Sequence, residues 1–479
     1  MARKPKSLRK ALAPEWLVAA AFCAYLALQL PYAATDPDEG VYLAAARRMA
    51  EGQVPLRDFF VHQMPLLSWL QSLILRLGGS IVHARLLSLV CWSAAGAMLV
   101  SIGSRSSAGF LLRLGALCLW FMSPLRAHVT QAVGEPVAIL CLVVCLKLLN
   151  SRPLFAGAML ALAVLVKPVS LVAAPAVLLC ALCHHRRNLP VLLAGMAAAS
   201  LLTVAPLLWS APAECLALAR TVLDFVGNAH EPPRLFTLLA RHGDTDLFIG
   251  TIWRTFHSSF FGHLWMIPAG IALSLSVISM VRSRHTSFGD HRLPAWVGPG
   301  LLASIFLAFR LAAIPIWSHY LLYYLVPIVW LLAQDNPYRH LSTYARTALV
   351  VLAVAALARQ FPEPSRDTVY DSARDLRSTT SESAKLLSFY PLLDQLSARK
   401  SACDFDDPIG VYEYVGIRRD SVPTALHKFI VTDQDLIRCI QSDHSVVVVV
   451  NYFYDTLASP EIKKFVATLP ADRIYHLRP

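Results

Sequence analysis

Residues 65–78 read Pro-Leu-Leu-Ser-Trp-Leu-Gln-Ser-Leu-Ile-Leu-Arg-Leu-Gly, from Pro65 to Gly78. At helical spacing Leu66, Leu70, Leu73 and Leu77 share one face, while Ser68, Gln71 and Ser72 share another. A membrane span needs about 20 apolar residues. A shorter two-faced strip suits lying in the interface. The choice decides on which side of a membrane the rest of the chain falls. If 65–78 lies flat, Arg105, Arg113, Lys147, Arg152, Arg186, Arg187, Arg282, Arg284, Arg292, Arg339 and Arg346 are all inside. If it crosses, those eleven move out and only Arg76, Arg85, Arg126, Lys167, Arg310 and Arg359 come in from short loops. The positive-inside rule favours the flat reading.

The composition makes a membrane the right frame. The chain has 479 residues, 56% hydrophobic and 15% charged, where a soluble protein carries about 25% charged residues. Its mean hydropathy is +0.52. These values exclude an ordinary soluble enzyme, a disordered scaffold and a secreted disulfide framework. Residues 1–360 hold 29 Lys+Arg against 14 Asp+Glu, whereas 361–479 hold 14 against 17. The basic excess therefore belongs to the membrane part, where it sets orientation. No basic–aromatic module accompanies it, so nucleic acid is not an expected partner.

Working outward, spans fall near 16–34, 86–103, 108–125, 136–149, 153–166, 169–183, 189–209, 263–281, 294–313, 317–334 and 343–359, eleven in all. A single helix over 153–183 would be about 45 Å long, too long for a core of about 30 Å. Two crossings with Lys167-Pro168 at the apex satisfy the basic flanks on both sides. The polybasic N-terminus (Arg3, Lys4, Lys6, Arg9, Lys10) stays in the cytoplasm. The expected fold is an all-α polytopic membrane domain over 1–360 with amphipathic surface helices, followed by a small external α/β domain over 361–479. External segments include the first loop 35–64, the interfacial helix 65–79 and the long loop 210–262. In the tail we expect a helical stretch near 381–398, strands at 411–415, 429–431 and 446–451, and a helix near 460–467. Cys403 and Cys439 lie there and pair as a disulfide if the tail faces an oxidising compartment.

Chemistry concentrates outside. Asp36, Asp38, Glu39, Glu51 and Asp58 crowd the first loop, and Glu135 stands at the mouth of the fourth span. Pro37 disfavours helix at Asp36. Asp38 is placed as N-cap of a helix over 39–51, with Gly52 as its stop. Capping is the plain reading of these acids. Their crowding adds another, because clustered carboxylates can raise one pKa toward general-base range. Glu135-Pro136 likewise suits a first helical turn or a second carboxylate on the same cavity. Lys167, Arg310 and His319-Tyr320 lie near the external face. A cation near mid-membrane costs roughly 2.5–3.5 kcal/mol and usually lines a cavity. Lys167 and Arg310 together suit a phosphate. Carboxylates outside, recessed cations and flat helices fit a lipid-phosphate donor. No glycine-rich phosphate loop suggests a nucleotide donor.

One span, an Asp-Glu dipeptide opening a surface helix, then Arg57-Asp58-Phe59-Phe60 and a Pro65-led second surface helix with Trp69 together resemble the C-type (GT-C) integral-membrane glycosyltransferases. The nearest branch is that of protein O-mannosyltransferases and lipid A aminoarabinose transferases. Lys167-Pro168 after a glycine-containing span, and His319-Tyr320 followed by Pro327, are later landmarks of that branch. The resemblance covers about 1–335 and implies an inverting transfer from a polyprenyl-phosphate sugar on the external face. It makes Asp38 the essential carboxylate, with Glu39, Asp36 and Glu135 beside it. Lys167, Arg310, His319 and Tyr320 become donor-phosphate ligands, and Arg57, Asp58, His62 and Gln63 support the acceptor or the loop. The branch often has Glu-Lys before the loop proline, where this chain has Gln63-Met64 after His62. That departure weakens metal binding by this element. No metal ligand and no cofactor are assigned, and a divalent metal stays open. The acceptor is a glycan such as lipid A core or cell-envelope polymer, a lipid or a protein. The implied location is a bacterial inner membrane, multi-pass, with the C-terminal domain periplasmic. The competing class is a transporter or flippase for a lipid-linked anion, which predicts two related halves. No internal repeat is present.

Overall fold

The computed structural model describes residues 14–61, 63–101, 107–123, 126–184, 186–227, 300–301, 304–305, 322–333, 368–403, 405, 407–408, 423–451, 454–455 and 458–476. His62, Arg310, His319, Tyr320, the loop beyond 227 and the spans expected at 263–281 and 343–359 lie outside the described residues, as does the strand expected at 411–415.

The described part is mostly helical. In order come α1 (Pro14–Ala27), α2 (Pro37–Ala50), α3 (Leu66–Arg76), α4 (Ile81–Ser101), α5 (Ser107–Met122), α6 (Arg126–Val129), α7 (Glu135–Leu148), α8 (Pro153–Val166), α9 (Ala174–His184), α10 (Leu189–Ser210), α11 (Pro212–Gly227) and α12 (Leu322–Ala333). Among the described residues two helices are long and apolar enough to cross a membrane, Ile81–Ser101 and Arg186–Ser210. Pro14–Ala27, Arg113–Met122, Pro153–Val166 and Pro168–Leu182 are apolar but shorter. The first helix ends sooner than the expected 16–34, and a 3-10 turn at Leu30–Tyr32 follows it. Proline enters that turn at Pro31, where helix cannot continue unbroken.

Small residues set the helix packing. A Cβ on Gly157 would sit 1.9 Å from the Leu192 carbonyl oxygen, and one on Gly195 would sit 1.9 Å from that of Leu154. The first turns of α8 and α10 therefore touch backbone to backbone. Between them the chain goes away and returns, turning at Lys167-Pro168. Lys167 is extended (φ −145°, ψ 111°), as a residue before proline prefers. In the core Trp92 and Trp120 stack with centroids 3.8 Å apart, and Gly96 makes room for the Trp120 ring. Arg113 on α5 pairs with Glu15 at the start of α1 at 2.7 Å, both nearly buried.

The α3 helix is turned with its polar face inward. Ser68, Gln71 and Ser72 are buried, while Leu73 and Leu77 are 55% and 88% exposed. That inversion suits an apolar surrounding for the outer face. The expected helix over 39–51 begins two residues earlier, at Pro37, and its N-cap is Asp36 instead of Asp38. Pro37 occupies the first helical position, where its missing N–H costs nothing. Gly52 stops the helix with φ +92°, a left-handed conformation natural to glycine.

From residue 368 the chain forms α13 (Thr368–Thr379), β1 (Lys385–Ser388), α14 (Leu392–Ser397), β2 (Lys400–Ser401), α15 (Asp433–Ser442), β3 (Val446–Val450), α16 (Pro460–Val466) and β4 (Ile474–His476). Among the described residues the strand pairs are parallel, in the order β2-β1-β3-β4. The helix expected over 381–398 is thus a strand followed by a short helix. Leu386 and Leu387 are fully buried, and a strand covered on both faces reads as an apolar run without alternation. Residues 429–431 form no strand; Phe429 ends a 3-10 turn (Thr424–Phe429). The strand at 446–450 and the helix from 460 stand where expected. A disulfide joins Cys403 and Cys439.

Candidate active site

The acidic loop, the entry to α7 and the turn after α8 converge on one ammonium group. Lys167 Nζ donates to Asp38 Oδ2 at 3.0 Å and lies 3.2 Å from Glu135 Oε1. It also donates to the Tyr42 hydroxyl at 3.3 Å and lies 5.4 Å from the centre of that ring. Tyr42 donates to Gln63 Oε1 at 2.7 Å, and Gln63 Nε2 donates to Asp38 Oδ2 at 3.3 Å. Lys167, Asp38, Gln63 and Tyr42 thus form a closed ring of polar contacts, with Glu135 joined to it through Lys167. Its members differ in access. The Asp38 side chain is 23% exposed, against 4% for Lys167 and 1% for Glu135. Asp38 is thus the most accessible of these three charged groups.

Asp36 stands beside the ring. Its backbone is extended, and its Oδ1 accepts the Asp38 N–H at 2.9 Å, which caps α2. Burial, followed by the charge of Asp38, pushes its carboxyl up to about 7. The same burial pushes the Tyr42 phenol upward, so Tyr42 acts as a neutral hydrogen-bonding group.

Glu39 faces the other way. Arg85 Nε and Nη2 each donate to it at 2.7 Å in a fork that is wholly buried. Glu39 Oε1 also accepts the Ala132 N–H at 2.7 Å. Arg85 further donates to the carbonyls of Leu30 and Ala33 and to the Tyr370 hydroxyl. Gln71 donates to the Ala132 carbonyl, Ser88 to that of Val133 and Gln131 to that of Ala34. The turn carrying Glu135 is thereby clamped to α2, α3 and α4. Gly134 lets it pass close to Lys167, since a Cβ there would come 3.3 Å from Val166.

Arg57 and Asp58 build the loop. Asp58 Oδ2 accepts the Val54 N–H at 2.7 Å, and Arg57 forks onto Asp58 at 2.8 and 2.9 Å. That fork holds the Asp58 carboxyl down at about 2. The structure thus brings together Asp36, Asp38, Glu135, Lys167 and Gln63, directs Glu39 to Arg85, and sets Arg57 and Asp58 apart in the loop. His62, Arg310, His319 and Tyr320 fall outside the described residues. Sequence reasoning overlooked Tyr42 and Arg85. Tyr42 was findable, because it lies four residues after Asp38 and so on the same helical face. Among the described residues no group of three or more His, Cys, Asp or Glu has a geometry that would hold a metal.

No curated protein and no solved structure matches the chain. The family model of glycosyltransferase family 87 matches residues 64–309. The match includes Glu135 and Lys167 and begins after the acidic loop. It spans just over half of the 479 residues, and the chain belongs to glycosyltransferase family 87, a family of membrane glycosyltransferases.

Proposed function

We propose that this membrane glycosyltransferase takes its sugar from a polyprenyl-phosphate carrier and transfers it to an acceptor on the external face of a bacterial inner membrane. In this reading the acceptor oxygen attacks the anomeric carbon and its proton passes to Asp38. The bond from the anomeric carbon to phosphate oxygen breaks, and polyprenyl phosphate leaves with the electron pair. Lys167, itself paired with Glu135, fixes Asp38, and it offers an ammonium to the donor phosphate. Arg310, His319 and Tyr320 complete the phosphate site in this proposal. The observation that carries it is the convergence of Asp38, Glu135 and Lys167 from three separate elements within a family of glycosyltransferases.

Several features support the outward orientation. Leu73 and Leu77 of α3 are exposed, the N-terminus is basic, and the Cys403–Cys439 disulfide suits an oxidising compartment. Eleven spans and an external α/β domain belong to the same proposal. It is tested with purified protein: Asp38→Asn should cut kcat by at least about 100-fold while donor affinity stays near wild type. Lys167→Ala should weaken donor affinity. Wild-type turnover in Asp38→Asn removes that residue from the chemistry.

A further inference from the structure

Two tyrosines of the C-terminal region reach the segment that carries the acidic cluster. Tyr390, just after β1, donates from its hydroxyl to Thr35 Oγ1 at 2.6 Å. Tyr370 on α13 accepts from Arg85, the residue that forks onto Glu39, and its ring centre lies 5.7 Å from the guanidinium carbon. We propose that Tyr390 is a positioning residue for the transfer: through Thr35 it holds the turn that aims Asp38, which makes the C-terminal region a working part of the catalytic site. The inference rests on the glycosyltransferase reading above and gives the C-terminal region a role in it.

The turn is short, and its geometry decides where Asp38 points. Asp36 is extended (φ −135°, ψ 139°), and its Oδ1 accepts the Asp38 N–H at 2.9 Å. Thr35 is the residue before it, so a shift of the Thr35 backbone swings the Asp36 carboxyl away from that N–H. The cap is then lost, and Asp38 loses its register with Lys167 and Gln63. Further back, Arg85 and Gln131 donate to the carbonyls of Leu30 and Ala34 at 3.0 and 3.2 Å. Those contacts come from the helical part. Tyr390 takes hold of the next residue after Ala34, from the C-terminal region.

Tyr390 is itself held firmly. It is buried, and the fully buried Ser388 at the end of β1 accepts its N–H and donates to its carbonyl, both at 3.0 Å. β1 lies between β2 and β3 in the sheet, so the phenol stands on a paired strand. A group that orients a reacting residue works best from a rigid element. A second contact sets the distance. A Cβ on Gly40 would come 2.3 Å from the Leu392 amide nitrogen, so α2 rests directly on the start of α14. Thr35 and Gly40 lie on either side of Asp38 in the chain, and both bear on the segment 390–392. Misplacing a catalytic group by about 1 Å can cost on the order of 100-fold in rate. A hydroxyl remote from the reacting atoms can therefore govern kcat.

The test uses the full chain in nanodiscs and the polyprenyl-phosphate sugar that wild type consumes. Tyr390→Phe, which removes only the hydroxyl, should lower kcat by about tenfold and leave the donor KM and the melting temperature near wild type. Thr35→Val should do the same, and Thr35→Ser should keep the wild-type rate. Tyr390→Phe combined with Thr35→Val should be no slower than either alone. Arg473→Gln is the control. Arg473 donates to the carbonyls of Ile440, Val446 and Asp443 within the C-terminal region, so its loss should lower the melting temperature without lowering kcat. An unchanged kcat in Tyr390→Phe overturns the proposal. So do losses that multiply in the double variant, a Thr35→Ser as slow as Thr35→Val, or an equal kcat loss in Arg473→Gln. Amide exchange over 34–40 is measured without donor and should quicken in Tyr390→Phe; unchanged exchange overturns the proposal as well. A wild type that consumes no donor overturns the transferase reading, and quicker exchange then still supports the hold of Tyr390 on the turn.

Discussion

Lys167 answers two carboxylates at once, and Asp36 adds a third acid close by. Near neutral pH the ionisation of Asp36 therefore decides how negative the cluster is. Its carboxyl is raised to about 7, so the folded state holds this proton more tightly than the unfolded chain. Stability from this group is complete at low pH and falls as pH rises from about 4 to about 7. We expect the melting temperature of wild type to drop between about pH 4 and about pH 7, and the drop to shrink in Asp36→Asn, which keeps the cap. Donor affinity should fall as pH rises through about 7, because each Asp36 that ionises in the folded protein repels the phosphate. An identical pH profile in both proteins would remove Asp36 from the cluster. At this scale the sequence was informative where charge was out of place. Asp38, Glu135 and Lys167 stand out in an apolar chain, and the structure brings them together. Arg85 counted only as a charge for topology, since its partner lies 46 residues away and nothing local pairs them.

Two elements hold the cluster in place, α2 and α3. Glu39 ties α2 to α4 through a buried ion pair. Breaking such a pair from one side costs about 3–5 kcal/mol, because the remaining charge stays buried, whereas an apolar replacement of both sides is tolerated far better. Arg85→Met should therefore lower the melting temperature sharply, and Glu39→Leu combined with Arg85→Met should recover most of the loss. Failure of the double variant to recover would mean that Glu39 does more than fasten α2. On α3, Gln71→Leu orphans the Ala132 carbonyl, at a cost of about 1–3 kcal/mol. It should loosen the turn before Glu135, read as faster amide exchange there. The orientation of α3 was legible because its two faces differ in the sequence. The strand at 385–388 was not: Leu386 and Leu387 gave no alternation, and the sheet that buries them is completed by residues about sixty positions away.

The C-terminal region is packed onto the acidic loop as if part of the site. Tyr390 donates to Thr35 at 2.6 Å, one residue before Asp36. A Cβ on Gly40 would stand 2.3 Å from the Leu392 amide, so α2 and α14 meet backbone to backbone. Lys428 reaches Glu214 and the Arg57 carbonyl. Gly40→Ala should prise this contact apart and expose the C-terminal region to limited proteolysis; resistance equal to wild type would contradict the packing. Orientation is testable as well. Cysteines placed at the exposed positions Glu51 and Lys400, in a background keeping only the Cys403–Cys439 pair, should label from the external side alone. The proposed orientation puts the acidic loop and the C-terminal sheet on the same side of the membrane. The most direct measurement offers purified wild type and Asp38→Asn a panel of polyprenyl-phosphate sugars with a mixed cell-envelope acceptor extract, and follows donor loss by mass spectrometry. The account predicts that wild type consumes one donor and releases polyprenyl phosphate while Asp38→Asn consumes none. Donor loss at equal rates in both proteins, or none from any donor with wild type, would contradict it.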